Sequence, residues 1–91
     1  MEVCAKIIVK GRVQGVGFRW FVQQQAKNFG VSGYVRNLGN GDVEIEAEGD
    51  RGRVEELLKS VRVGPTFSKV REVVIEWQKF TAKYYSFNTT F

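Results

Sequence analysis

The chain has 91 residues and a net charge of +4, with seven Phe, three Tyr and two Trp in an otherwise ordinary composition for a globular protein; that length builds one two-layer core, so residues 1–91 are expected to form a single domain. One cysteine, Cys4, excludes an intrachain disulfide and a cysteine-cluster metal site, and the lack of histidine removes the commonest general base and metal ligand together with Ser-His and Cys-His nucleophilic designs. No apolar run is long enough to span a bilayer, and Met1 leads into a strand-like segment without a signal region, so the expectation is a cytoplasmic protein with no membrane partner, no metal and no cofactor.

Glu2 to Lys10 alternates, with Val3, Ala5, Ile7 and Val9 on one face. Cys4 and Ile8 lend apolar character to the other face, which predicts a central strand partly covered on both sides. Gly11-Arg12-Val13-Gln14-Gly15-Val16-Gly17-Phe18-Arg19 follows. Its three glycines allow a sharp turn and a close approach of backbone to a ligand. The next run, Phe18 to Phe29, repeats Phe18, Phe21, Val22, Ala26 and Phe29 at helical spacing, and Gly30 is a natural residue to end it. No Ser, Thr, Asp or Asn stands at its start to cap it. A helix N-terminus leaves several N–H groups without partners, and with two arginines nearby these residues describe an anion site. A tight turn capped by water, with both arginines in solvent, fits the same residues.

Val31 to Asn37 reads as a second strand, and Asn40-Gly41 as a hairpin turn. Asp42 to Glu48 alternates clearly, with Val43, Ile45 and Ala47 toward the core. Asp42, Glu44, Glu46 and Glu48 then form a solvated face in preference to a metal site, having no histidine or other ligand group near them. Asp50 is placed to cap a second helix whose stripe is Val54, Leu57, Leu58 and Val61, and Gly64-Pro65 ends it. Lys69 to Trp77 is a fourth strand whose broken alternation suggests a bulge or burial on two sides. Tyr84 to Phe91 closes the chain as a short edge strand.

The order β-α-β-β-α-β plus a terminal strand predicts an α+β, ferredoxin-like two-layer sandwich: an antiparallel sheet with two helices on one face. A crossover helix makes the first two strands parallel. Arg19 and Asn37 are then expected at one rim, and a returning final strand would bring Phe91 there too. Asn37 also has a simpler reading, as a cap on the hairpin backbone.

At these residues the chain resembles the acylphosphatase family. The resemblance rests on Gly11 to Arg19, supported by Gly33-Tyr34-Val35-Arg36-Asn37-Leu38, Asn40-Gly41-Asp42-Val43-Glu44 and Glu48-Gly49-Asp50. It spans nearly the whole chain and is loose beyond Pro65. It implies hydrolysis of small-molecule acyl phosphates to a carboxylate and inorganic phosphate, the latter as product and inhibitor. By matching position, Arg19 would bind the phosphoryl group and Asn37 would orient the attacking water. The backbone amides of Gln14, Gly15, Val16, Gly17 and Phe18 would cradle the phosphate oxygens. A monomer is expected.

Two other readings share the fold. A ferredoxin-like nucleic-acid binder wants aromatics on the open sheet face, where this chain places acids, so no nucleic-acid partner is expected. A non-catalytic phosphate- or ligand-binding regulatory domain would use the same loop without turnover.

Overall fold

The computed structural model describes all 91 residues. The chain runs β1 (Glu2–Arg12), α1 (Phe18–Phe29), β2 (Ser32–Asn37), β3 (Val43–Asp50), α2 (Arg51–Val63), β4 (Lys69–Gln78) and β5 (Phe87–Thr90). The strands form one sheet in the order β4-β1-β3-β2-β5. The pairs β1–β3, β1–β4 and β2–β3 are antiparallel, while β5 adds parallel to β2 and makes the sheet mixed. The ferredoxin-like order is therefore present, with a parallel fifth strand at one edge.

Alternation builds the core. Val3, Ala5, Ile7 and Val9 of β1 are buried, opposite Gly49, Ala47, Ile45 and Val43 of β3. Phe18, Val22 and Ala26 of α1 and Val54, Leu57, Leu58 and Val61 of α2 join them in a single cluster. Burying a side chain of this size contributes about 1.5–3 kcal/mol. Phe87, 1% exposed, is the only β5 side chain in that cluster and so anchors the strand. The cap on α2 is as expected: the Asp50 carboxylate accepts from the Gly52 amide at 3.1 Å. On β4, Arg71 has no partner in β1, because Val70 pairs with Gly11 and Glu72 with Lys10. This bulge explains the broken alternation: it returns Val70 to the core side with Val73 and Ile75.

The acids of β3 do not form a solvated face. Glu44, Glu46 and Glu48 are 6%, 6% and 2% exposed. Glu44 accepts from Arg36 Nε at 2.7 Å and from the Tyr34 hydroxyl at 2.8 Å. Glu46 pairs with Lys83 Nζ at 2.9 Å. Glu48 accepts from the Thr81 amide and hydroxyl at 2.9 and 3.0 Å and from the Lys83 amide at 3.2 Å. Glu44 is covered by its strand neighbours Tyr34 and Arg36, whereas the cover over Glu46 and Glu48 comes from the connector between β4 and β5, which folds across the sheet face. Its carboxylate contacts give it a fixed path where it has no regular structure of its own. Asp42, at the end of the row, pairs with Lys10 at 2.7 Å.

Burial alone would raise the pKa of Glu44, but the hydrogen bonds from Arg36 and Tyr34 and the positive charges of Arg36 and Lys6 outweigh it and leave the pKa lowered. Glu46 is lowered for the same kind of reason, with Lys83 as the main partner. Burial and the neighbouring Glu46 push the Cys4 thiol up to about 11.

The sign of the pH dependence follows. Both carboxyls sit below their ordinary value of 4.5 when folded. Their contribution is full above that value and is lost as pH falls through the lowered values. Thermal melts should therefore be flat near neutrality and drop below pH 4.5. Glu46→Gln should be less stable than wild type at neutral pH, with the gap closing in acid; parallel curves for the two proteins would contradict the assignment.

Candidate active site

The rim at the C-terminal ends of β1 and β2 collects the sequence-predicted residues. Val13 and Phe18, each 1% exposed, pin the two ends of the glycine loop into the core. Between them Gln14 to Gly17 arch outward, with Gly15 and Gly17 exposed. Gly15 and Gly17 have φ of 71° and 76°, in the left-handed region that favours glycine. A Cβ at either would meet nothing within 4 Å. Glycine is thus needed there for the turn, and the space in front of the loop stays open.

Gly17 is the N-cap of α1 and supplies no side-chain cap bond. The amides of Gln14, Gly15, Val16 and Gly17 donate to no protein acceptor; the one backbone bond at this turn runs from the Phe21 amide to the Gly17 carbonyl at 3.0 Å. Phe18 opens the helix, so its amide has no carbonyl one turn back. A row of free donors therefore meets the positive end of the helix dipole.

The Gln14 side chain has a part that the sequence did not disclose. Its Nε2 donates to the Leu38 and Asp42 carbonyls, both at 2.8 Å. These are the two ends of the β2–β3 hairpin, where Leu38 N also donates to Asp42 O at 2.8 Å. One amide group thus ties the loop to the residue after Asn37. A glutamine next to a hairpin it meets only through folding carries no local sequence signal.

Arg19 lies on the first turn of α1. Its Nη1 points at the Thr90 carbonyl at 3.5 Å, and its guanidinium lies 5.2 Å from the centre of the Phe91 ring. Thr90 pairs with Arg36 in the β2–β5 ladder. Arg19 therefore reaches the strand end that carries Asn37, and it makes no ion pair. The return of the final strand to this rim, and Phe91 with it, agrees with the topology argument. Phe91 and Trp20 are 99% and 67% exposed.

Asn37 does not cap the hairpin through its oxygen. That task falls to Asn40, whose Oδ1 accepts from the Asp42 amide at 3.0 Å. Asn37 Oδ1 is instead buried with no hydrogen-bond partner, the one side-chain polar atom in this state. An unpaired buried acceptor costs about 1–3 kcal/mol, and such groups concentrate where a ligand or water completes them.

The largest cavity, about 490 Å³, lies at the opposite rim among Glu2, Gly30, Glu48, Asp50 and Arg53. Three carboxylates against one cation make it a poor place for phosphate. No group of three or more His, Cys, Asp or Glu is arranged to hold a metal, and no helix is long and apolar enough to cross a membrane.

Comparison with known proteins gives a consistent result. The Acylphosphatase family model matches residues 5–89. An acylphosphatase of Chlorobaculum tepidum is 51% identical over 70 residues, 77% of this chain and 76% of the relative. An acylphosphatase of Dehalococcoides mccartyi is 46% identical over 85 residues, 92% of this chain and 93% of the relative. The crystal structure of acylphosphatase from Bacillus subtilis superposes with a TM-score of 0.95 at 37% identity, covering 98% of this chain and 99% of that one.

The Gln14 tie is open to a direct test. Gln14→Ala removes two side-chain bonds and should cost about 1–3 kcal/mol in denaturant unfolding. Amide exchange should quicken at Leu38 and the β2–β3 turn, with β4 unaffected. Unchanged stability and exchange would show that the loop stands without it.

Proposed function

The chain belongs to the acylphosphatase family, and we propose that residues 1–91 act as one such hydrolase domain, with the loop, Arg19 and Asn37 as its machinery. The substrate is an acyl phosphate. Its phosphoryl oxygens take the free amides of Gln14 to Phe18 and the planar donor fork of Arg19. Asn37 Oδ1 accepts a hydrogen bond from a water and holds it in line with the scissile bond. The observation that carries this reading is the orphaned Asn37 oxygen at the same rim as a row of orphaned donors. One set fits a phosphate and the other fits a water.

The chemistry is consistent with these side chains. The water oxygen attacks phosphorus, the bond from phosphorus to the acyl oxygen breaks, and the carboxylate leaves with the bonding electrons. The water's proton passes to a phosphate oxygen. A carboxylate has a conjugate-acid pKa of about 4 to 5, so it leaves without a proton from a general acid. Phosphoryl transfer asks chiefly for positioning and charge stabilisation, which fixed amides and one guanidinium supply. Phosphate esters, whose alkoxides need protonation, are poor substrates. The setting is the cytoplasm, and the lone buried Cys4 thiol suits a reducing compartment. The working unit is a monomer, and inorganic phosphate competes for the loop.

Purified protein with EDTA should hydrolyse benzoyl phosphate and leave a phosphate monoester intact. Arg19→Ala should lower kcat/KM by about 10³-fold or more, by analogy with other phosphoryl-stabilising arginines. Asn37→Ala should lower kcat by about 10²–10³-fold, the scale of losing one aimed polar group. Asn37→Ala should also fold at least as stably as wild type, because it removes an unsatisfied buried oxygen. Phosphate should raise Tm in wild type more than in Arg19→Ala. No turnover by wild type, with phosphate still raising Tm, would leave a binding domain.

A further inference from the structure

Next to the loop lies a cleft of about 360 Å³ lined by Gly11, Arg12, Lys69 and Arg71. Three of its four residues are cationic. None of the three makes an ion pair. None lies over an aromatic ring either, since the cation–π contacts belong to Arg19, Arg51 and Lys83. The neighbouring cation on β1, Lys10, is by contrast matched to Asp42 at 2.7 Å. Like charges gathered without an acid repel one another, and an anion relieves that cost.

The fold builds this convergence in two ways. Arg12 pairs with Lys69 across the β1–β4 ladder, and the bulge inserts Arg71 beside them. Gly11 lets the strands close up: a Cβ there would stand 2.1 Å from the Lys69 carbonyl oxygen and 2.9 Å from the Arg71 nitrogen. Protection of an exposed edge strand explains a charge and a bulge on β4. It does not explain the third cation, Arg12, contributed by the central strand. Arg12 is two residues from Gln14, so it stands at most about 7 Å along the chain from the first loop amide.

We propose that Arg12, Lys69 and Arg71 form an anion subsite for the acyl side of the substrate, and so favour acyl phosphates that carry a second carboxylate or phosphate. This rests on the acylphosphatase reading of the loop. The reactive phosphoryl group is held at Gln14 to Phe18, and the second anion extends over the end of β1 toward β4. It takes no part in bond breaking, so its effect lies in KM. Exposed cations act through solvent, which makes that effect sensitive to salt.

The test compares benzoyl phosphate with para-carboxybenzoyl phosphate, which differ by one distant charge. Wild type at low salt should show a KM lower on the order of tenfold for the carboxylated substrate, the scale of a few exposed ion pairs. The advantage should vanish in the Lys69→Gln/Arg71→Gln double variant and at about 0.5 M salt, with benzoyl phosphate turnover unchanged by the substitutions. A meta-phosphonate analogue then tells whether carboxylate or phosphate is preferred. Equal KM values in wild type, or an advantage that survives the double substitution, would overturn the subsite. Should wild type fail to hydrolyse benzoyl phosphate, the acylphosphatase reading falls separately. The subsite is then judged by titrating inorganic phosphate into Arg19→Ala and following the backbone amides of Arg12, Lys69 and Arg71. Movement that the double variant abolishes supports it, and still amides refute it.

Discussion

Helix α1 begins without a side chain to cap it, and the rest of the site follows from that. The same molecule shows the ordinary solution at α2, where the Asp50 carboxylate binds the Gly52 amide. At α1 the N-cap is Gly17, which offers no side chain, and the preceding loop amides are also free. Free donors at a helix start attract an anion through both hydrogen bonding and the dipole. Across the rim the mismatch has the opposite sign: Asn37 offers a buried acceptor with no donor. The buried Asn37 oxygen costs stability when nothing is bound, while the loop amides lie at positions open to water. Their placement at one rim is what turns two local defects into a paired set.

Holding that set in place falls to residues without chemistry of their own. Gln14 joins the loop to the hairpin that carries Asn37. On the other side, Arg19 leans on Thr90 and Phe91 at the end of β5. The position of β5 depends in turn on Phe87 in the core and on the connector before it. That connector is fixed by Glu46 and Glu48 through Lys83 and Thr81. The helix-free face of the sheet therefore has a bearing on the rim, through a strand of four residues. A buried row of acids costs stability unless every oxygen is matched. Here Arg36, Tyr34, Lys83 and Thr81 do the matching, so the ladder can serve as a fixed track for an irregular segment.

What was legible in the sequence divides along the same line. Period-2 and period-3.6 patterns named β1, β3 and both helices, because core burial acts on each element separately. The rim placement of Arg19 and Asn37 was also readable, since it needs only the parallel relation of β1 and β2. The alternation of Glu44, Glu46 and Glu48 points to a solvated face, and the structure buries all three. Alternating acids look the same whether water or a folded-over connector covers them, and residues 79–86 have no periodicity that announces such a cover. The Gln14 tie was hidden for a related reason: its partners are carbonyls, which every residue possesses. The bulge at Arg71 was visible only as a fault in the β4 alternation, and its position needed the register against Gly11 and Lys10.

The chemistry such a site can support is narrow. Backbone amides and a guanidinium neither gain nor lose protons near neutrality, and a primary amide is a very weak base. They can place charge and direct a water, but they cannot protonate a departing alkoxide. The bond they suit is one whose leaving group is already stable as an anion. A mixed anhydride of a carboxylic acid and phosphoric acid meets that condition, and a phosphate ester does not. On the proposed reading, selectivity for the reacting bond comes from what the rim lacks. On the same reading, selectivity for the rest of the substrate has to come from outside the loop, and the unpaired cations at the junction of β1 and β4 are the adjoining surface with charge to spare.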